Sequence, residues 1–139
     1  MRFISFHCKF FSYETTKKSR SKLLEDLTDE NKQGKFENVI VLLISIDKKD
    51  ESDSSLLERT INEIENITKQ LKVSNIFLLS FAHLFGELSS PEFGFETLKK
   101  LEKLLIDKEY HVGRAPFGWF NEFELKAKGH PLSRISRII

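Results

Sequence analysis

The sequence predicts a mixed α/β fold in which central strands, buried on both faces, are covered by two amphipathic helices. Three observations carry that expectation. Two apolar runs, Val39–Ile46 and Ile76–Phe81, lack the alternation of a half-solvated strand. Two segments, from Ser55 to Leu71 and from Ser90 to Leu105, repeat apolar residues at helical spacing. Strand and helix alternate from Val39 onward, the order from which α/β layers are built. At 139 residues the chain can bury a sizeable core, and no repeat or linker divides it, so residues 1–139 read as one domain.

In chain order, residues 2–6 alternate as a strand, with Phe10–Glu14 as its partner. The charged, polar stretch Thr15–Gly34 reads as a solvated excursion with little regular structure. Val39–Ile46 follows as a β-branched strand, and Asp47–Asp53 as a solvated charged turn. Ser55-x-x-Glu58 has the spacing of a capping box, and Leu57, Ile61, Ile64 and Leu71 then form one stripe. After the strand Ile76–Phe81, Ser90-Pro91 opens a second helix striped by Leu98, Leu101 and Leu105. Tyr110–Ala115 and Phe120–Lys128 complete the expected order β-β-β-α-β-α-β-β.

A net charge of +1 leaves no general electrostatic footprint for wrapping nucleic acid, although an RNA end remains a compatible partner. The single cysteine, Cys8, excludes an internal disulfide framework and fits a reducing compartment. No apolar run approaches the ~20 residues of a membrane span, and the opening residues lack a signal peptide's apolar stretch and cleavage site. The expectation is a cytoplasmic protein without a membrane partner.

Four histidines are present, and His83 stands out because it lies just past the end of an apolar strand, where open α/β sheets form ligand crevices. His130 precedes Pro131 and reads as a turn residue. No histidine pair has metal-ligand spacing with a carboxylate, and neither a phosphate-cradling glycine loop nor a nucleophile elbow occurs, so no metal or cofactor is implied. The irregular segment Gly113–Asn121 suits a backbone-lined pocket. Strand parity puts Asn121 on the face of Phe123, Leu125 and Ala127, where it either ties off a strand end or points into a cavity beside Phe117.

Several blocks carry a resemblance: His7 and Tyr13-Glu14; Phe81-Ala82-His83-Leu84 with Glu87-Leu88 and Pro91; Ala115-Pro116-Phe117-Gly118-Trp119; and Lys128-Gly129-His130-Pro131-Leu132 with Ser136-Arg137. Together they resemble the amino-terminal editing domain of archaeal threonyl-tRNA synthetase, which shares the fold of D-aminoacyl-tRNA deacylases. The resemblance implies a cytoplasmic homodimer acting with the synthetase's catalytic part on the 3′ end of aminoacylated threonine tRNA. There it would hydrolyse a wrongly attached serine. Such a second sieve is needed because one missing methyl is worth only about 1–3 kcal/mol to the synthetic pocket.

The resemblance further implies that backbone around Ala82, Ala115, Pro116 and Phe117 holds the seryl-adenosine, with the terminal ribose hydroxyl assisting water attack. His83, Phe120, Asn121 and Arg134 fall at the family's polar functional positions, and His83, Ala115, Pro116, Phe117, Asn121 and Arg134 are expected to converge on one cleft. The family usually has tyrosine-lysine where this chain has Phe120-Asn121, and glutamate where it has Arg134. Two other readings stay open: a non-catalytic relative that binds the aminoacyl-tRNA end or serves as a structural appendage, and a deacylase for a D-aminoacyl ester.

Overall fold

The computed structural model describes residues 1–139. Six strands, β1 (Arg2–Lys18), β2 (Gln33–Ser45), β3 (Asn75–Ser80), β4 (His111–Arg114), β5 (Trp119–Ala127) and β6 (Arg134–Ile138), accompany two helices, α1 (Leu56–Leu71) and α2 (Pro91–Asp107). All six strands form one mixed sheet in the order β4-β3-β2-β1-β5, with β6 beside β1. Strands β2, β3 and β4 are parallel neighbours, and β1 runs antiparallel to β2, β5 and β6.

The two unalternated runs are the adjacent central strands. Val39 pairs with Asn75, and the register continues to Ile44 opposite Ser80. On one face Ile40, Leu42, Ile44, Ile76 and Leu78 pack against Ile61, Ile64 and Ile67 of α1 and Leu98, Leu101 and Leu105 of α2. Both helices cover this same face. The other face is filled by the sheet itself: Val39, Val41, Leu43 and Leu79 cluster with Cys8, Phe11, Tyr13 and Phe77.

A shared kink makes this self-covering possible. Before Lys9 the even residues Ile4, Phe6 and Cys8 of β1 face the second cluster; after it the odd residues Phe11 and Tyr13 do. Asn38 of β2, with φ +44, sits opposite this change. The β1–β5 register also slips between Cys8 and Phe10. Such a bulge bends a strand and strengthens its twist. As a result β4 and β5, at opposite ends of the strand order, are joined by Ala115–Gly118 alone, a reach of about 17 Å at full extension. The curled sheet closes on an aromatic plug, in which Phe77 lies 4.7 Å from Phe11, 4.8 Å from Tyr13 and 4.9 Å from Phe36.

Several expectations need correction. The two opening strands are one strand, β1, because the bulge at Lys9 changes the side-chain parity without breaking the ladder to β2. Residues 15–18 and 33–34 of the supposed excursion belong to β1 and β2. The Ser55 capping box does not form: Ser55 has φ −97 and ψ 1, makes no cap hydrogen bond, and donates its hydroxyl to Asp53 instead. Ser90 does cap α2, accepting from the Phe93 amide at 3.3 Å. The Asp47–Asp53 turn is not wholly solvated, since Asp50 is buried and accepts from the Asp47 amide. Strand β6 has no counterpart in the expected order; it is a short edge strand bearing two arginines.

Candidate functional site

Parallel strands β3 and β4 end at the same edge of the sheet, and each hands the chain to a candidate segment. The Phe81 amide donates to the Ile44 carbonyl at 2.7 Å, after which Ala82–Leu84 makes one 3-10 turn. His83 is exposed on that turn, edge-on to the Phe81 ring at 5.8 Å. The turn is tied back by Arg2, whose guanidinium donates to the Leu84 carbonyl at 2.9 Å.

Beyond β4 the Ala115 amide donates to the Leu78 carbonyl at 3.1 Å. Ala115 and Pro116 are buried, and Phe117 packs on Phe95 at 5.4 Å, over the first turn of α2. Gly118 has φ +82, and a β-carbon there would lie 2.3 Å from the Leu23 carbonyl oxygen. Only glycine fits this turn.

The loop between β1 and β2 locks the turn from outside. Glu25 makes a two-pronged ion pair with Arg114, at 2.6 and 2.7 Å, and accepts from the Phe117 amide at 2.9 Å. Its own backbone accepts from the Trp119 indole at 2.7 Å and donates to the Phe117 carbonyl at 3.0 Å. Glu102 of α2 takes the third Arg114 nitrogen at 2.8 Å. Burial alone would raise the Glu25 carboxyl, but Arg114 and the Phe117 amide outweigh it and hold its pKa below the ordinary 4.5. Burial likewise disfavours the Arg114 charge, and the two carboxylates overcome this to raise its pKa. Sequence reasoning missed Glu25. One signal was available: Arg114 stands between residues of a pocket-like segment, and a buried cation requires an acid from elsewhere.

Asn121 lies opposite Thr15, on the face strand parity assigned to it. Its side-chain oxygen accepts from the Thr15 hydroxyl at 3.0 Å, and its amide donates to the Trp119 carbonyl at 3.2 Å. This is the tie at a strand end. No hydrogen bond joins Asn121 to His83. Phe120 points to the other face and is 51% exposed. Arg134 is exposed on β6 opposite Phe6, nine residues along β1 from Thr15, on the order of 30 Å of strand. The structure therefore gathers Ala115, Pro116 and Phe117 into one turn and sets Arg134 apart from Asn121 within a single chain.

No three histidine, cysteine or acidic side chains are grouped to hold a metal ion. An open groove of about 630 Å³ beside Tyr13 is lined by Glu14, Asp29, Glu122 and Glu124, and a second groove by Lys17, Lys18, Ser19, Arg20 and Phe120. No helix is long and apolar enough to cross a membrane.

Residues 1–139 match the family described as the archaea-specific editing domain of threonyl-tRNA synthetase. The chain belongs to that family. It is 40% identical over 140 residues to a threonine–tRNA ligase of Thermococcus kodakarensis and 39% identical to one of Pyrococcus furiosus. In both cases the match takes in the whole chain and 22% of the relative, so the editing domain here spans about a fifth of those ligases' length. Among solved structures, the c-Myc DNA Unwinding Element Binding Protein superposes with a TM-score of 0.71 at 14% identity, covering 100% of this chain and 99% of that one. The two chains thus share one fold.

Proposed function

We propose that this editing domain hydrolyses serine wrongly esterified to threonine tRNA, as a cytoplasmic homodimer working with the catalytic part of a threonyl-tRNA synthetase. The observation that supports it most is the pairing of the two motif turns. Ala82–Leu84 and Ala115–Gly118 leave the carboxyl ends of adjacent parallel strands, the position where α/β sheets hold ligands. Backbone groups of Ala82, Ala115, Pro116 and Phe117 would hold the aminoacyl-adenosine. His83, exposed and free of polar partners, would meet the ester or its water, while Phe120 and Asn121 lie downstream of the same turn. An aminoacyl ester is already labile, so orientation and carbonyl polarisation are the main requirements, and the terminal ribose hydroxyl can share the work.

A homodimer is supported by the face that carries no helix. There Ile4, Phe6, Phe36, Phe81 and Leu125 are only partly buried, and Phe123 is 47% exposed. A second chain against this face would also supply Arg134 from outside, which one chain does not bring to Asn121.

The test is deacylation of seryl- and threonyl-tRNA by the 139-residue chain beside a mock incubation. Faster loss of serine supports the reading, and a rate equal to the mock on both esters overturns it. Asn121→Lys restores the family's cation and is expected to raise serine hydrolysis at least ten-fold, given the ~10²–10³ that one oxyanion donor contributes. A serine ester whose 2′-hydroxyl is replaced by hydrogen should turn over poorly. A second reading, a non-catalytic tRNA-end binder, draws on the Asn121 amide being committed to Thr15 and Trp119. Retained binding of a seryl-adenosine analogue without hydrolysis in any variant would establish it.

A further inference from the structure

We propose that the strip Lys17–Lys22, together with the exposed ring of Phe120, is a track for the single-stranded 3′ end of the RNA, leading its backbone to the Ala115–Gly118 turn. It deepens the tRNA reading above and rests on it.

The strip reads Lys17-Lys18-Ser19-Arg20-Ser21-Lys22, and all four of its cations are exposed. None of the four takes part in an ion pair. Four unpaired cations within six residues are a local exception in a chain whose net charge is only +1. The aromatic component is Phe120, 51% exposed, with the Lys17 ammonium 5.9 Å from its ring centroid; the Lys18 ammonium lies 5.8 Å from Trp119. Cations that follow a phosphate backbone, interleaved with rings on which bases stack, are the recurring elements of single-strand recognition.

The strip is also fixed in place. The Ser19 amide donates to the Gly118 carbonyl at 3.0 Å, and the Thr16 hydroxyl donates to the Phe120 carbonyl at 3.2 Å. The segment that carries the cations is thereby tied to the turn of Ala115, Pro116 and Phe117. Charge on the other side sets the direction. Glu14 lies directly opposite Glu122, and with Asp29 and Glu124 they line a groove that sets four carboxylates against the single cation of Lys35. Like charges across a ladder are destabilising, and here they confine a polyanion to the Lys17–Arg20 end.

The experiment measures binding of the 139-residue chain to a non-aminoacylated RNA hairpin with a single-stranded CCA 3′ end, by fluorescence anisotropy across a salt series. Because no ester is present, the result stands apart from whether the domain hydrolyses one. Replacing Lys17, Lys18 and Arg20 by Gln should lower the salt slope by about 2 and weaken low-salt binding on the order of 10²-fold. Replacing Lys49, Lys100 and Lys103 by Gln should change neither. Phe120→Ala should weaken binding on the order of ten-fold with the slope unchanged, and Phe120→Tyr should preserve it.

Equal losses from the two triple variants, or no salt-dependent binding by the unaltered chain, would overturn the track. So would displacement of the RNA by an acidic peptide of equal charge at equal concentration, which would make the strip a protein-binding surface. Serine hydrolysis with an unchanged salt slope in the first triple variant would remove the track and leave the editing reading standing.

Discussion

Glu25 shows how much one residue of an irregular loop can determine. The Arg114 side chain is only 9% exposed, and a guanidinium so placed is tolerated only when its donors are met. Glu25 and Glu102 meet them, and Glu25 also holds the Phe117 amide. Glu25→Ala should therefore destabilise the fold by about 3 kcal/mol, read as a lower urea midpoint with an unchanged slope. Loss within ~0.5 kcal/mol, the range of ordinary surface substitutions, would mean that the pair is solvated. The pH dependence follows from the lowered carboxyl pKa. Its contribution is fully present above 4.5, the ordinary glutamate value, and is lost as pH falls through the folded-state value, so Glu25→Ala should narrow the gap in stability between neutral and acid solution. Strand parity was enough to assign the face of Asn121, because a period of two leaves only two choices. The partnership of Glu25 with Arg114 joins positions 89 residues apart, and no local spacing encodes it.

Among the elements, the bulge at Lys9 and Asn38 decides the shape of the sheet, and four polar side chains hold it. Lys128 donates to the Asn38 oxygen at 2.6 Å, so the His7 Nε2 at 3.1 Å from that oxygen must carry a proton. Neutral His7 then presents a bare Nδ1 to the His130 Nε2, 2.9 Å away, which donates. Protonating His7 would set two N–H groups face to face unless His130 moved its own ring proton to Nδ1. Burial, then the nearby Lys128 and His130 charges, lowers the His7 pKa below 6.5 against the opposing Asn38 bond. The unfolded chain thus binds the proton more readily. Stability should be full above pH 6.5 and fall as pH drops through the folded value. His7→Gln should flatten that part of the stability profile; an unchanged profile would show that the histidine pair does not titrate with folding.

Gly113 is a second test at this scale, since a β-carbon there would sit 2.7 Å from the Phe36 ring. Gly113→Ala should cost about 1–3 kcal/mol by overpacking, and Phe36→Leu in the same chain should recover part of it, a coupling that thermal melts of the four-member cycle would measure. Helices and central strands were legible because apolar period and run length encode them. The continuity of β1 was not, because a bulge inverts the parity by which a strand is recognised. Strand β6 was also missed: five edge residues carry too little burial to leave a pattern.

At the scale of the molecule, the sheet has two unlike faces. One is sealed by α1 and α2; the other closes on itself at the aromatic plug and leaves Phe6, Phe81, Phe123 and Leu125 in partial contact with water. Asn121 on β5 and Arg134 on β6 pair with different halves of β1, so one chain does not unite them, whereas the proposed two-fold dimer through the uncovered face would set Arg134 of one chain beside the Asn121 turn of the other. The arrangement has a consequence that single variants cannot show. Asn121→Ala and Arg134→Ala should each reduce serine hydrolysis when tested as pure proteins. Unfolded together and refolded as an equal mixture, half of the dimers would be hybrids, each holding one site with both residues intact and one with neither. Activity should then recover to about a quarter of the unaltered level. Recovery depends on exchange of chains, so mixing the two folded variants without unfolding should yield less. A mixture no more active than the better parent would place both residues in the same chain's site, or remove Arg134 from the reaction.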